Sequence, residues 1–274
     1  MTVPHRTSAL RRSARAAAVV AGALLLGGQA AWAVTIARGA AAVPDPLVAG
    51  AEGPLLDDTA TAPLAGAAAP KGAPARGTAG AAGTAGPQRL RGWAEGLSPR
   101  VGVPAVALAA YGAAEVRLAA EDPACHLSWV ALAGIGAVES DHGRFRGAAL
   151  GADGRSDPPV VGIPLDGNGV AAVADSDGGR IDGDTVHDRA VGAMQFIPGT
   201  WRRWGADGDG DGVADPFVLP DAALAAGRYL CHAGAGDLRD GAAWRRAVLA
   251  YNASSAYVAR VTRASNAYAA ASRG

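Results

Sequence analysis

The stretch Leu127-Ser-Trp-Val-Ala-Leu-Ala-Gly-Ile-Gly-Ala-Val-Glu-Ser140 sets apolar side chains at Leu127, Val130, Ile135 and Val138, a recurrence close to the helical period, and it closes on one acid, Glu139. Gly134 and Gly136 thin one side of this helix so that a neighbour can approach closely. Working outward, Pro104 suits the first turn of a preceding helix that runs through Val106, Leu108, Tyr111 and Val116 to Ala120. Later helices are expected over 221–232, 242–251 and 254–270, the last opened by a Ser cap, with a short one after Pro198 carrying Trp201 and Trp204. Few runs alternate as strands do. The fold class is therefore mainly α, one domain over 88–274, interrupted by a loop region from 147 to 190 whose length marks it as functional.

Composition narrows the classes of function. The chain has 274 residues, with 25 Lys plus Arg against 25 Asp plus Glu, and this zero net charge excludes a generally basic nucleic-acid binder. Charge is unevenly placed. Residues 1–40 carry five arginines and no acid, whereas 153–221 carry thirteen aspartates and five arginines, interleaved with glycine in the manner of turns or ion-binding loops.

The arginines at 11, 12 and 15, the apolar run Ala16–Leu26 and the small-x-small site Ala31-Trp32-Ala33 have the order of a signal peptide over residues 1–33. The uncharged run 16–37 is also long enough for one membrane-spanning helix, so a cleaved leader and a retained N-terminal membrane anchor both stand. Either one places the remainder outside the cytoplasm, secreted to the cell wall or tethered to the outer face of the membrane. Residues 34–87, dominated from 39 onward by Ala, Gly, Pro and Thr, bury too little apolar area to offset their ordering entropy and read as a disordered linker. Cys125 and Cys231, an even pair in an oxidising compartment, are expected to form a disulfide. Closing a loop of roughly 100 residues stabilises a fold by about 4 to 5 kcal/mol on the chain-entropy account.

Three short motifs lie on this frame in fixed order: Glu139-Ser140 at a helix end, Gly192-Ala-Met194-Gln195-Phe196 after the long loop, and Ala250-Tyr251-Asn252 at a later helix end. Their order, with intervals of 56 and 57 residues from Glu139 to Gln195 to Asn252, resembles that of the lytic murein transglycosylases of the lysozyme-like superfamily, closest to the B-type, soluble type 35 branch. The resemblance spans about residues 100–262. It implies a lysozyme-like (SLT) catalytic domain that cleaves the β-1,4 bond between N-acetylmuramic acid and N-acetylglucosamine in peptidoglycan, with Glu139 as acid and then base and a 1,6-anhydromuramic end as product. It also implies that Ser140, Met194, Gln195, Phe196, Tyr251 and Asn252 line the sugar subsites, in a monomer whose partners are peptidoglycan glycan strands and no nucleic acid.

The residues suit this chemistry. A carboxyl at a helix C-terminus meets the negative end of the dipole, and with Ile135 one turn back both dipole and desolvation favour its protonated form. Amide and hydroxyl groups can bond to N-acetyl and ring hydroxyls, while Met194 and Phe196 offer either apolar contact to a sugar or core packing. An ordinary glycosidase uses two carboxylates, and the aspartates between 153 and 188 leave room for a second one, which would make the enzyme a hydrolytic muramidase. A non-catalytic calcium-stabilised wall-binding module is the third reading. Trp201 and Trp204 read as core. The sequon Asn252-Ala-Ser254 is discounted at a helix end.

Asp207-Gly-Asp209-Gly-Asp211-Gly-Val213-Ala-Asp215 sets carboxylates at loop positions 1, 3, 5 and 9, glycine at 6 and a carbonyl at 7, the pattern of an EF-hand-like calcium loop. Position 12 is Val218 in place of the bidentate Glu, and Asp221 is expected to close the shell. The expected cofactor is a structural Ca²⁺ held by Asp207, Asp209, Asp211, Val213 and Asp221. The acidic run 175–184 lacks that spacing and reads as a solvated or cleft-lining loop.

Overall fold

A computed structural model of the chain describes residues 85–274; the expected leader and nearly all of the expected linker lie outside the described residues. Among the described residues there are seven α-helices: α1 (Ala85–Val101), α2 (Ala105–Glu121), α3 (Trp129–Ser140), α4 (Pro198–Trp204), α5 (Leu219–Gly234), α6 (Gly241–Tyr251) and α7 (Ser255–Arg273). Four short strands, β1 (Ala149–Leu150), β2 (Ser156–Asp157), β3 (Val161–Pro164) and β4 (Arg189–Val191), pair as two antiparallel ribbons, β1 with β2 and β3 with β4. No helix among the described residues is long and apolar enough to cross a membrane.

α3 is the buried axis of the domain. Every residue from Trp129 to Gly136 is buried, so this helix is apolar all round, as expected of one enclosed by neighbours. Its closest neighbour is α7, and a Cβ on Gly134 would lie 2.9 Å from the Val261 carbonyl oxygen and 2.1 Å from Ser265 Oγ. Only glycine permits that backbone approach. α2 packs on the other side through Leu108, Tyr111 and Leu118, and α5 packs against both α2 and α6. Side-chain caps start the last two helices: Asp240 accepts from the amides of Ala242 and Ala243, and Ser254 accepts from Tyr257 N. A disulfide joins Cys125, in the α2–α3 turn, to Cys231 on α5, with 5.4 Å between their Cα atoms.

Two features differ from the sequence reading. α1 opens at Ala85, inside the stretch read as linker, and it owes its place to packing: Ala94 and Leu97 are buried, and Trp93 meets Trp129 edge-on at 5.6 Å. The segment 147–190 is no open loop but carries the two ribbons and further isolated bridges, Asp166 with Ala172 and Ala174 with His187. Its aspartates make this order possible. Asp175 accepts from the amides of Asp177, Gly178 and Gly179, Asp177 from those of Arg180 and Ile181, and Asp184 from those of Val186 and His187. Each carboxylate closes a local turn. Trp201 is buried against Phe196, and Trp204 meets Tyr229 edge-on, both as core residues.

Candidate active site

Glu139 sits in the last turn of α3, and the chain after it is held by an unusual turn. Asp141, His142 and Gly143 all have left-handed backbone, with φ of 51°, 58° and 85°, and His142 N donates to the Gly136 carbonyl at 2.8 Å. The His142 ring is buried between two phenols, Tyr111 Oη at 3.1 Å from Nδ1 and Tyr268 Oη at 3.0 Å from Nε2. Burial pulls its pKa down to about 4, so near neutral pH the imidazole is uncharged and can donate to one phenol while accepting from the other. Helix, turn and ring together fix the direction of the Glu139 side chain.

The second motif is a tight turn clamped by the other two. Val191 and Phe196 exchange backbone hydrogen bonds of 2.8 and 3.0 Å, so residues 192–195 form a closed loop. Gly192 has φ +72°, and a Cβ there would lie 2.0 Å from the Pro216 carbonyl oxygen, so glycine is required. Ser140 Oγ donates to the Ala193 carbonyl at 2.6 Å and accepts from Gly143 N at 2.7 Å. Tyr251 Oη donates to the Met194 carbonyl at 2.8 Å. Gln195 then emerges with left-handed backbone, φ 50°, and its amide nitrogen donates to the Gly192 carbonyl at 2.9 Å. The three motifs are thus hydrogen-bonded to one another through the middle one.

They open onto a cleft of about 360 Å³. Its polar lining is Glu139, Gln195, Asn252, Tyr257, Arg146 and Arg260, and its rim includes Phe145, Val161 and Ile163, which are exposed apolar side chains. Among the described residues that line it, Glu139 is the sole carboxylate. Tyr257 Oη donates to Glu139 Oε1. Burial pushes the Glu139 carboxyl up to about 8, against the opposing pull of the Tyr257 hydrogen bond and the Arg260 charge. Burial, followed by the charge of Glu139, holds the Tyr257 phenol well above its ordinary range, so it stays a neutral donor.

Glu139, Gln195 and Asn252, more than fifty residues apart in sequence, therefore meet in one cleft. The other residues expected to line sugar subsites do not reach it. Met194, Phe196 and Tyr251 are fully buried behind the wall, where Phe196 packs edge-on against Trp201 and Tyr251, and Ser140 is buried as a backbone clamp. Their sequence order reflects the support of the site, not its surface. Tyr257, Arg260 and Phe145 were missed. Tyr257 and Arg260 lie three apart on α7, and that spacing put them on one helical face, but the sequence does not say which face meets the cleft.

Asp207, Asp209 and Asp211 bring carboxylate oxygens within 4.8 Å of one another. Val213 N donates to Asp211 Oδ1 and leaves its carbonyl available, while Asp215 pairs with Arg155 at 2.8 Å. Asp221 is hydrogen-bonded to the backbone of the same loop. Its Oδ1 accepts from the amides of Gly208 and Asp209 and its Oδ2 from that of Asp215, so it ties the loop to the start of α5 by backbone bonds. Asp175, Asp177 and Asp188 form a second carboxylate group, where Asp188 is buried and accepts from Ser176 N and Oγ.

The family described as Transglycosylase SLT domain matches residues 188–267, from the start of β4 into α7. The match includes Gln195, Asn252, Tyr257 and Arg260, while Glu139 and Ser140 lie upstream of it and are joined to it by the Ser140 and Tyr257 hydrogen bonds. No curated protein and no solved structure is significantly similar to the chain.

Proposed function

We propose that this chain, whose residues 188–267 match the family described as Transglycosylase SLT domain, is a lytic transglycosylase that acts on peptidoglycan with Glu139 as its one general acid and base. The observation that carries this reading is the solitary carboxylate of the cleft, half-buried, protonated near neutral pH and beside the amides of Gln195 and Asn252. A mechanism with two carboxylates would need a second acid facing the first across the bond, and none of the aspartates of 153–188 is among the described residues lining the cleft.

The protonated Glu139 gives its hydrogen to the glycosidic oxygen as the bond to the muramyl C1 breaks. The carboxylate left behind is stabilised by the Tyr257 hydroxyl and the nearby Arg260 charge, the two groups that already oppose its protonation. It then takes the proton from the muramyl C6 hydroxyl as that oxygen bonds to C1, which closes a 1,6-anhydro ring and returns the acid. One bond is broken and one formed, the proton is conserved, and no water enters. Gln195 and Asn252 orient the sugars through their amides, and Phe145, Val161 and Ile163 give an apolar surface for the ring faces.

Asp207, Asp209 and Asp211, with the Val213 carbonyl, are all hard oxygen donors on one loop, a set suited to Ca²⁺. A bound Ca²⁺ would neutralise their charge and stiffen the segment after the Gln195 turn. Residues 1–33 would carry the domain to the wall as leader or anchor, and 34–87 would give it reach.

The test is digestion of purified sacculi. The chain releases muropeptides with 1,6-anhydro ends, and Glu139→Gln releases none while keeping its circular dichroism spectrum. Continued release by a folded Glu139→Gln protein refutes the assignment, and reducing muramyl ends refute the non-hydrolytic step.

A further inference from the structure

The cleft holds a cation with no ion-pair partner among the described residues. Arg260 lies on α7 one turn beyond Tyr257, is half-buried and lines the cleft wall, and its Nε is buried without a hydrogen-bond partner among the described residues. Arg155 pairs with Asp215 at 2.8 Å and Arg189 with Asp184 at 2.9 Å, whereas no ion pair among the described residues includes Arg260, and its Nε has no hydrogen bond either. A second guanidinium, that of Arg146, lines the same cleft and stands over the Phe145 ring at 5.1 Å. The one acid available to balance these charges is Glu139.

A guanidinium N–H that is desolvated and unpaired carries a cost, and a planar carboxylate is the group whose geometry relieves it. In the substrate class read above, one sugar of each repeating disaccharide is neutral, and the other bears a 3-O-lactyl arm that ends either in its own carboxylate or in a peptide carrying carboxylates. We propose that Arg260 is a specificity-determining residue that binds a carboxylate on the muramyl arm, and so sets which sugar occupies the position beside Glu139. This rests on the lytic transglycosylase reading. It gives the cleft a means of telling the two alternating sugars apart, which a wall of amides and apolar side chains lacks.

Three tetrasaccharides of alternating N-acetylglucosamine and N-acetylmuramic acid decide it: one with free lactyl carboxylates, one with the lactyl groups as neutral methylamides, and one with the lactyl groups amide-linked to an acidic dipeptide. The full chain and its Arg260→Gln and Arg260→Lys variants are compared by steady-state kinetics and by calorimetric binding, with melting temperature as the control for folding. A charge-assisted hydrogen bond is worth about 1.5 to 3 kcal/mol, so Arg260→Gln is expected to raise KM for a carboxylate-bearing substrate by about 10- to 100-fold. Loss of the Arg260 charge beside Glu139 lowers kcat alike on all three substrates, whereas the rise in KM spares the methylamide, with Arg260→Lys between the two. Selectivity confined to the free lactyl form assigns the contact to that carboxylate, and selectivity confined to the dipeptide form assigns it to the stem. Equal affinity of the wild type for all three, or an equal rise in KM on all three in Arg260→Gln, overturns the proposal. If none is cleaved the enzymatic reading fails, and the binding data still decide the role of Arg260.

Discussion

Replacing Glu139 by Gln should change how stability depends on pH, independently of any substrate. In the folded chain this carboxyl titrates at about 8, against an ordinary value of 4.5. Below pH 4.5 folded and unfolded chains both hold the proton, so the favourable contribution is fully present. Between 4.5 and 8 the unfolded chain releases the proton and the folded chain keeps it, so the stability of the wild type falls as pH rises, and the loss is complete above 8. At about 1.4 kcal/mol per pH unit the ceiling on this loss is about 5 kcal/mol, and because the residue is only part-buried about 2 kcal/mol is expected. Glutamine keeps the shape and an acceptor for Tyr257 Oη but has no proton to lose. The melting temperature of Glu139→Gln relative to wild type should therefore climb by about 4 to 8 °C between acid and alkaline pH, a domain of this size shifting about 2 to 4 °C per kcal/mol. Calorimetric melts across that range measure it. Parallel curves for the two proteins, or a gap that closes as pH rises, would refute the burial argument for Glu139.

Three other outcomes follow from the same geometry. The rate profile, kcat/KM against pH, should be flat below neutrality and fall about tenfold per unit above about 8 as the acid loses its proton; Tyr257→Phe, which removes a bond that favours the carboxylate, should move that limb to higher pH. Tyr251→Phe leaves the buried Met194 carbonyl without its donor, so chemical denaturation should show a loss of about 1 to 3 kcal/mol, accompanied by weaker glycan binding as the Gln195 turn loosens. Calcium in about hundredfold excess over its dissociation constant should stabilise the fold by about 3 kcal/mol, an effect that chelation reverses and Asp209→Asn abolishes; a melt insensitive to calcium would remove the ion from the account.

The helices from α2 onward were legible because their apolar spacing and caps agree: Leu108 and Tyr111 on α2, Ile135 on α3, the Ser254 cap of α7. α1 was hidden because its residues are weakly apolar and follow an Ala- and Gly-rich run, and contact with α2, α7 and Trp129 selects it. Of the candidate site, Glu139, Gln195 and Asn252 were legible as motif members that face the cleft. Ser140 and Tyr251 belong to the same motifs for a different reason, since their hydroxyls hold the Ala193 and Met194 carbonyls that aim Gln195. A sequence displays a hydroxyl but not its acceptor, so sugar contact and backbone clamp look alike. The same holds for Asp221, whose carboxylate reads as a metal ligand by spacing, while its bonds to three backbone amides show only in the fold. Arg260 could not be singled out among the arginines because lack of a partner is a property of the fold alone.

In the proposed reaction one carboxyl cleaves the glycan and water is not a reactant. Digestion of sacculi in heavy-oxygen water, with mass spectrometry of the released ends, tests it most directly. Anhydromuramyl ends that carry no label are expected from the wild type, and no released ends from Glu139→Gln. Labelled reducing muramyl ends would contradict it.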